Sequence, residues 1–267
     1  MNTKLEIIPQ YPILFVHGIA CRDTDISHTE NCWGNIPEIL RQQGIQVFFG
    51  NNDAWASIED NARIIAKTIN DIIEITQKPK VNIIAHSKGG LDARYAISML
   101  HIEDKVASLT TINTPHRGVF SVDLIFRVLP KRMYEWIGKK LTIKAKKNGD
   151  VYPDVLTCAK ELSISYCKQF NQKTADKKNV YYQSIHSYIR ISSPTYWIPY
   201  IIGRWKGERM DGVISESSAK WGVFRKDIAV PHVNHSVIAS PTTRSKKKKA
   251  VLYVYLSLII GLASMGF

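Results

Sequence analysis

Among the polar side chains of this sequence, Ser87 stands in the setting that chemistry can use most directly. It lies in VNIIAHSKGGL, which begins at Val81. Val81, Ile83, Ile84 and Ala85 read as a short buried strand, and Leu91, Tyr95 and Met99 recur along one side of a helix. The turn between them, His86-Ser87-Lys88-Gly89-Gly90, would hold Ser87 at a sharp corner, where the residues two before and two after must be small. Ala85 and Gly89 meet that demand, giving A-x-S-x-G in place of the usual G-x-S-x-G, a change of one methyl group. Taken alone, the pentapeptide fits a serine that merely caps the following helix equally well. A serine hydroxyl is a poor nucleophile at neutral pH, so it needs a base within hydrogen-bond reach and the base needs an orienting acid. The chemistry in prospect is acyl transfer.

The elements that would position these residues alternate between strand and helix. Ile13 to Val16 is fully apolar, as a central parallel strand requires, and it delivers His17-Gly18-Ile19. Residues 33–43 read as a helix closed by Gly44, and 45–49 as a strand. Ser57, with Asp60 three residues on, opens a long amphipathic helix through Ile58, Ala62, Ile65, Ile69 and Ile72, which stops before Pro79. Residues 106–112 form another strand. The pattern predicts an α/β fold with a mostly parallel central sheet and helices on both faces. Residues 119–151 break it, as an amphipathic insertion of two helices separated near Pro130. Further on, 154–169 reads as one helix, 180–185 as a strand, and 192–205, rich in aromatics and prolines, as loop.

Three blocks carry a resemblance to a known family. Tyr11-Pro-Ile-Leu-Phe-Val-His-Gly-Ile19 is a strand ending in His-Gly, the Ser87 block follows, and the strand from Val106 runs into TPHRG at Gly118. Together they resemble the bacterial true lipases of the α/β-hydrolase superfamily, the triacylglycerol lipases typified by the Pseudomonas, Burkholderia and Bacillus enzymes. The resemblance is dense from Tyr11 to Gly118 and resumes in short patches after Gly207. It implies an α/β-hydrolase fold in which 119–151 is the lid or cap over an acyl groove, an ordinary packing pair of helices being the other reading. It also implies an oxyanion hole formed by the backbone amides of Ile19 and Lys88. Arg209-Met-Asp-Gly-Val-Ile214, followed by Ser217-Ser218, is similar to the family's acid-bearing stretch, with Met210 where the family often has asparagine. Pro231-His-Val-Asn-His-Ser236 is similar to its histidine loop, where the second histidine is catalytic.

The order Ser87, Asp211, His235 matches the nucleophile, acid, histidine order of that superfamily. It assigns Ser87 as nucleophile, His235 as general base and then acid, and Asp211 as the carboxylate that fixes the imidazole. His232 is the nearest rival base. His86 adjoins the nucleophile but is expected to point away, and His17 and His116 belong to loop motifs. Asp154, Asp176 and Asp227 are the other acids in suitable order, while His28, His101 and His186 read as surface or core residues. Many such lipases hold a calcium ion through an aspartate two residues after the histidine. Val237 stands there, so no calcium, other metal or cofactor is expected.

With 267 residues, 45% of them hydrophobic and 22% charged, the chain suffices for one α/β domain, expected over 1–243. The net charge of +13 points to nucleic acid, an anionic membrane or acidic substrates. No helix-turn-helix, zinc finger or RNA-binding aromatic motif supports the first, so nucleic acid is not expected as a partner and membrane proximity is the better reading. Cys21, Cys32, Cys158 and Cys167 show no CxxC or zinc-ligand spacing and do not decide the redox compartment. Nothing before the first strand resembles a signal peptide's apolar core, which implies a cytoplasmic or cytoplasm-facing protein, or a secreted one if the start is truncated. Residues 244–249 form a basic linker, and 250–267 an uncharged run whose helix would extend roughly 27 Å. A membrane anchor is the expectation for that run, a core helix or an aberrant terminus the alternatives. The function implied is a serine ester hydrolase, a lipase or carboxylesterase cleaving carboxylic esters of lipids through an acyl-enzyme. An acyltransferase or thioesterase could use the same triad, and a catalytically silent scaffold that binds lipid or protein at a membrane is the rival of another class.

Overall fold

The computed structural model describes residues 5–23, 32–191, 196–240 and 247–267. Six strands, β1 (Ile13–Val16), β2 (Val47–Phe49), β3 (Val81–His86), β4 (Val106–Ile112), β5 (Tyr181–Ile185) and β6 (Val223–Phe224), form one sheet in the order β2-β1-β3-β4-β5-β6. Every pairing is parallel. Side chains alternate across a strand, so a sheet covered on both faces needs apolar residues at nearly every position. Ile13 and Phe15 face one layer together with Ile84, Ile112 and Ile185. Leu14 and Val16 face the other with Ile83, Ala85 and Leu109.

The helices, in chain order, are α1 (Ile36–Gln42), α2 (Ile58–Thr76), α3 (Gly89–Met99), α4 (Phe120–Val128), α5 (Lys131–Lys147), α6 (Val155–Lys160), α7 (Ile164–Lys173), α8 (Trp197–Trp205), α9 (Glu216–Ala219), α10 (His235–Ala239) and α11 (Lys248–Ser264). Helices α2 and α3 cover the Leu14 face, burying Ala62, Ile65, Ile69 and Ile72 of α2 against Ala93, Ala96 and Ile97 of α3. Ser57 caps α2 by accepting a hydrogen bond from the Asp60 amide at 3.1 Å, a contact worth about 1 kcal/mol. Helices α4 and α5 flank Pro130, which cannot continue a helix.

The structure corrects three expectations. Residues 154–169 are two helices, because Ser163 caps a new one by accepting from the Tyr166 amide at 3.2 Å. The stretch read as loop from 192 contains α8; Pro199 lies in its first turn, where a missing N–H costs no hydrogen bond, and residues 192–195 lie outside the described residues. The apolar run at 250–267, expected as a membrane anchor, is instead the core helix α11. Its Val251, Val254, Tyr255, Leu258 and Ile259 are at most 1% exposed and share the layer of Ile13, Phe15 and Leu40. Spacings of three and four put these residues on one face, which packs on the sheet face that α1 and α10 also cover. Tyr255 donates its hydroxyl to the Ile238 carbonyl at 3.0 Å, and the Gln10 amide donates to the carbonyl of Phe267 at 2.8 Å. Among the described residues no helix is long and apolar enough to cross a membrane. Of the basic linker, 244–246 lie outside the described residues.

Candidate active site

Ser87 occupies the corner between β3 and α3 with a φ of 54°, left-handed backbone that costs a non-glycine residue roughly 1–3 kcal/mol. Its amide donates to the Ile112 carbonyl at the end of β4, 3.0 Å away. The need for smallness at Gly89 comes from the neighbouring strand. A Cβ there would lie 2.7 Å from the Val16 carbonyl oxygen and closer still to that of His17. Gly18 presses on Ser87 in turn, since a Cβ on it would fall 2.6 Å from the Cβ of Ser87. The ends of β1 and β3 therefore meet at the serine.

His235 opens α10, whose cap Asn234 accepts from the Val237 amide at 2.9 Å. Its Nε2 lies 2.9 Å from Ser87 Oγ and its Nδ1 2.6 Å from Asp211 Oδ2. A carboxylate only accepts, so Nδ1 carries the hydrogen and Nε2 presents its lone pair to the serine hydroxyl. The His235 amide also donates to the Asp211 carbonyl at 2.9 Å, so backbone and ring are fixed to one residue. Asp211 is fully buried, and its second carboxylate oxygen accepts from the amides of Val213 at 2.8 Å and Ile214 at 2.7 Å. Burial pushes this carboxyl up. His235, His186 and the Ile214 amide outweigh burial and hold it below the ordinary carboxylate value.

The rivals lie elsewhere. His232 is exposed, His17 donates to the Gly18 carbonyl at 2.8 Å, and His116 stacks on Trp221. Asp154 caps α6, Asp176 accepts from Trp221 Nε1, and Asp227 pairs with Arg225. His28 lies outside the described residues. The backbone N–H groups of Ile19 and Lys88, both beside Ser87, have no hydrogen-bond partner among the described residues.

His86 does not point away as expected. Its ring centroid is 4.7 Å from that of His235, and its Nε2 donates to the His235 carbonyl at 3.0 Å. Burial, then the adjacent His235, keep its pKa well below the ordinary histidine value, so it stays neutral. The sequence reading also missed a buried ion pair, Lys88 Nζ to Asp92 Oδ1 at 2.7 Å, although the four-residue spacing at a helix start was legible. Asn61 donates to the other Asp92 oxygen at 2.9 Å, tying α2 to the Ser87 corner. A disulfide joins Cys21 to Cys32. Both cysteines line a cavity of about 690 Å³ that reaches Ser87 and His235 and whose apolar lining includes Ile19, Val119, Val122, Leu162, Val213 and Ile214. Tyr196 and Ser236, joined by a hydrogen bond between their hydroxyls, line it as well. Among the described residues no group of three or more His, Cys, Asp or Glu side chains is arranged to hold a metal ion.

A family model described as palmitoyl protein thioesterase matches residues 12–197. A triacylglycerol lipase 2 of Saccharomyces cerevisiae is 27% identical over 256 residues, covering 88% of this chain and 74% of the yeast protein. A triacylglycerol lipase of Pseudarthrobacter phenanthrenivorans is 34% identical over 45% of this chain and 38% of its own length. Among solved structures, a mature Bacillus licheniformis lipase superposes with a TM-score of 0.67 at 19% identity, over 94% of this chain and 95% of that one. The resemblance read from the three motif blocks extends in sequence over 88% of this chain, and the fold is shared over 94% of it. The chain belongs to the palmitoyl protein thioesterase family, it has an α/β-hydrolase fold, and its activity class is ester hydrolysis.

Proposed function

We propose that the chain cleaves carboxylic esters of lipids through an acyl-enzyme, with Ser87 as nucleophile, His235 as base and then acid, and Asp211 as the orienting carboxylate. The continuous hydrogen-bonded series from Asp211 through His235 to Ser87 carries this reading. His235 takes the Ser87 proton as Oγ bonds to the acyl carbon, and then gives that proton to the leaving oxygen as the carbon–oxygen bond breaks. Water repeats the sequence on the acyl-enzyme, releasing acid and freeing Ser87. The unpartnered amides of Ile19 and Lys88 would hold the tetrahedral oxyanion, each worth about 3–4 kcal/mol. The apolar walls of the cavity suit an acyl chain, and its volume lies within the roughly 300–1,000 Å³ of small-molecule sites. Val119 and Val122 bring α4 and the turn before it into that wall, which supports residues 119–151 as the cap.

A thioester substrate is the second reading, favoured by the family model over residues 12–197. The same residues would act, with a thiolate leaving group that needs less help from the acid. The test is to assay full-length protein against p-nitrophenyl esters of increasing chain length and against matched acyl thioesters, with thiol release read by a chromogenic disulfide. Faster turnover of long-chain oxygen esters is expected; a preference for thioesters by kcat/KM would move the assignment to thioesterase. Ser87→Ala should abolish both activities and labelling by a fluorophosphonate probe, and retained turnover in clean mutant protein would sink the assignment.

A further inference from the structure

Helix α5 is built the wrong way round for a packing helix. Its inner side is small or polar: Gly138 sits against Leu156, Ala145 is buried, and Thr142 accepts from the Val155 amide. Its outer side carries Met133, Trp136, Ile137, Lys140, Ile143 and Lys144, all exposed, with Trp136 at 57% and Ile143 at 60%. Lys140 Nζ lies 3.8 Å over the Trp136 ring, a cation–π contact that sets positive charge directly on the exposed aromatic face. Helix α8 repeats the arrangement. Tyr200 and Gly203 turn inward, and Trp197, Ile198, Ile201 and Trp205 face solvent, Trp205 at 88%.

Helix α4 joins the two into one surface. Its Phe126 ring stands 5.0 Å from Tyr134 of α5, and its Phe120 lies under Lys206, which follows α8, at 3.6 Å. Ser121 and Val122 of the same helix line the cavity above Ser87, so the surface borders the site. The three helices hold nine lysines and arginines against Asp123 and Glu135.

We propose that the outer face of α4, α5 and α8 docks on an anionic phospholipid bilayer. The exposed tryptophans and isoleucines would enter the acyl boundary, and the interleaved lysines would meet the headgroup phosphates and carboxylates. Tryptophan suits that position because its ring is apolar and its N–H is polar. An acidic protein would match the charge, but protein interfaces are depleted in lysine at their centres, and here lysine and tryptophan are interleaved along one face. The inference supplies the surface from which the proposed hydrolase would draw its ester, yet it stands on the cap and not on the triad.

The experiment sediments full-length Ser87→Ala protein with vesicles of phosphatidylcholine alone and of phosphatidylcholine mixed with phosphatidylglycerol, so that binding is read without catalysis. Binding to the mixed vesicles is expected, with a blue shift of tryptophan emission and weakening as salt rises. Trp136→Ala with Trp205→Ala, and Lys140→Glu with Lys144→Glu, should each reduce vesicle affinity about tenfold or more. In the Ser87 background the same pairs should leave hydrolysis of a soluble short-chain ester unchanged, which also reports an intact fold. Equal binding to both vesicle types, no binding, or variants that bind like the parent would overturn the proposal. So would a dimer in sedimentation equilibrium that the cap substitutions dissociate, since the face would then be an interface between two copies.

Discussion

In the proposed mechanism Ser87 and His235 react, and His86 positions His235. The hydrogen-bond series predicts that His235→Ala lowers kcat by several orders of magnitude, as loss of a triad base does. His232→Ala, at an exposed position, should cost little. Steady-state kinetics on both variants checks this, and a larger loss at His232 would refute the assignment. His86 reaches the base only through the base's own carbonyl and ring face. A tilt of the imidazole would misdirect proton transfer, so His86→Ala should lower kcat by about tenfold to a hundredfold with KM little changed. Equal changes in kcat and KM, or none in kcat, would make His86 a packing residue only.

Two helices show how far element-level reading depends on what covers what. A run of eighteen uncharged residues reads in sequence as a membrane span, but the helix it forms, Lys248–Ser264, is not long and apolar enough to cross a membrane and is buried against Phe15, Trp33 and Ile238. Removing residues 247–267 should therefore expose a sheet face and give insoluble or unfolded protein, where an anchor's removal would release soluble, active enzyme. Leu258→Ala, at a fully buried site, should destabilise by about 3–5 kcal/mol, measured by denaturant unfolding. A loss under about 1 kcal/mol would mean the helix is only loosely docked. The helix α8 escaped the sequence reading for a related reason. Its prolines and aromatics read as loop, but a proline in a first turn is tolerated, and its helical spacing turns only Tyr200 and Gly203 inward.

Over the whole molecule, Glu161 links three parts of the chain. It accepts from the Ile58 amide at the start of α2 at 2.7 Å and from the Tyr166 hydroxyl of α7 at 3.2 Å, at the end of α6. Burial pushes its carboxyl up to about 7, with Lys88 pulling the other way. A carboxyl raised above its unfolded value binds more protons folded than unfolded in the interval between the two. Stability from this group therefore falls as pH rises through that interval toward 7. Glu161→Gln keeps an acceptor and removes the titration, so its melting temperature should gain on the parent as pH rises from about 5 to 8. Parallel melting curves across that range would show that Glu161 titrates normally.

The strand and helix alternation was legible from residues 13 to 112 because a sheet buried on both faces leaves a nearly unbroken apolar signature, and because Ser57 and Pro79 mark helix ends by local chemistry. The corner at Ser87 was legible for the same local reason, as strand, turn and helix are contiguous in sequence. Asp211 and His235 were singled out by motif resemblance and chain order, with His232 left as a rival, because nothing local says which histidine meets a serine well over a hundred residues away. Tertiary structure decided that pairing, turned His86 onto His235 and placed α11 in the core. Each of these is a contact between segments distant in sequence or a choice between water and protein for the same apolar face, and the free energy that decides it belongs to the assembled fold and not to any one segment.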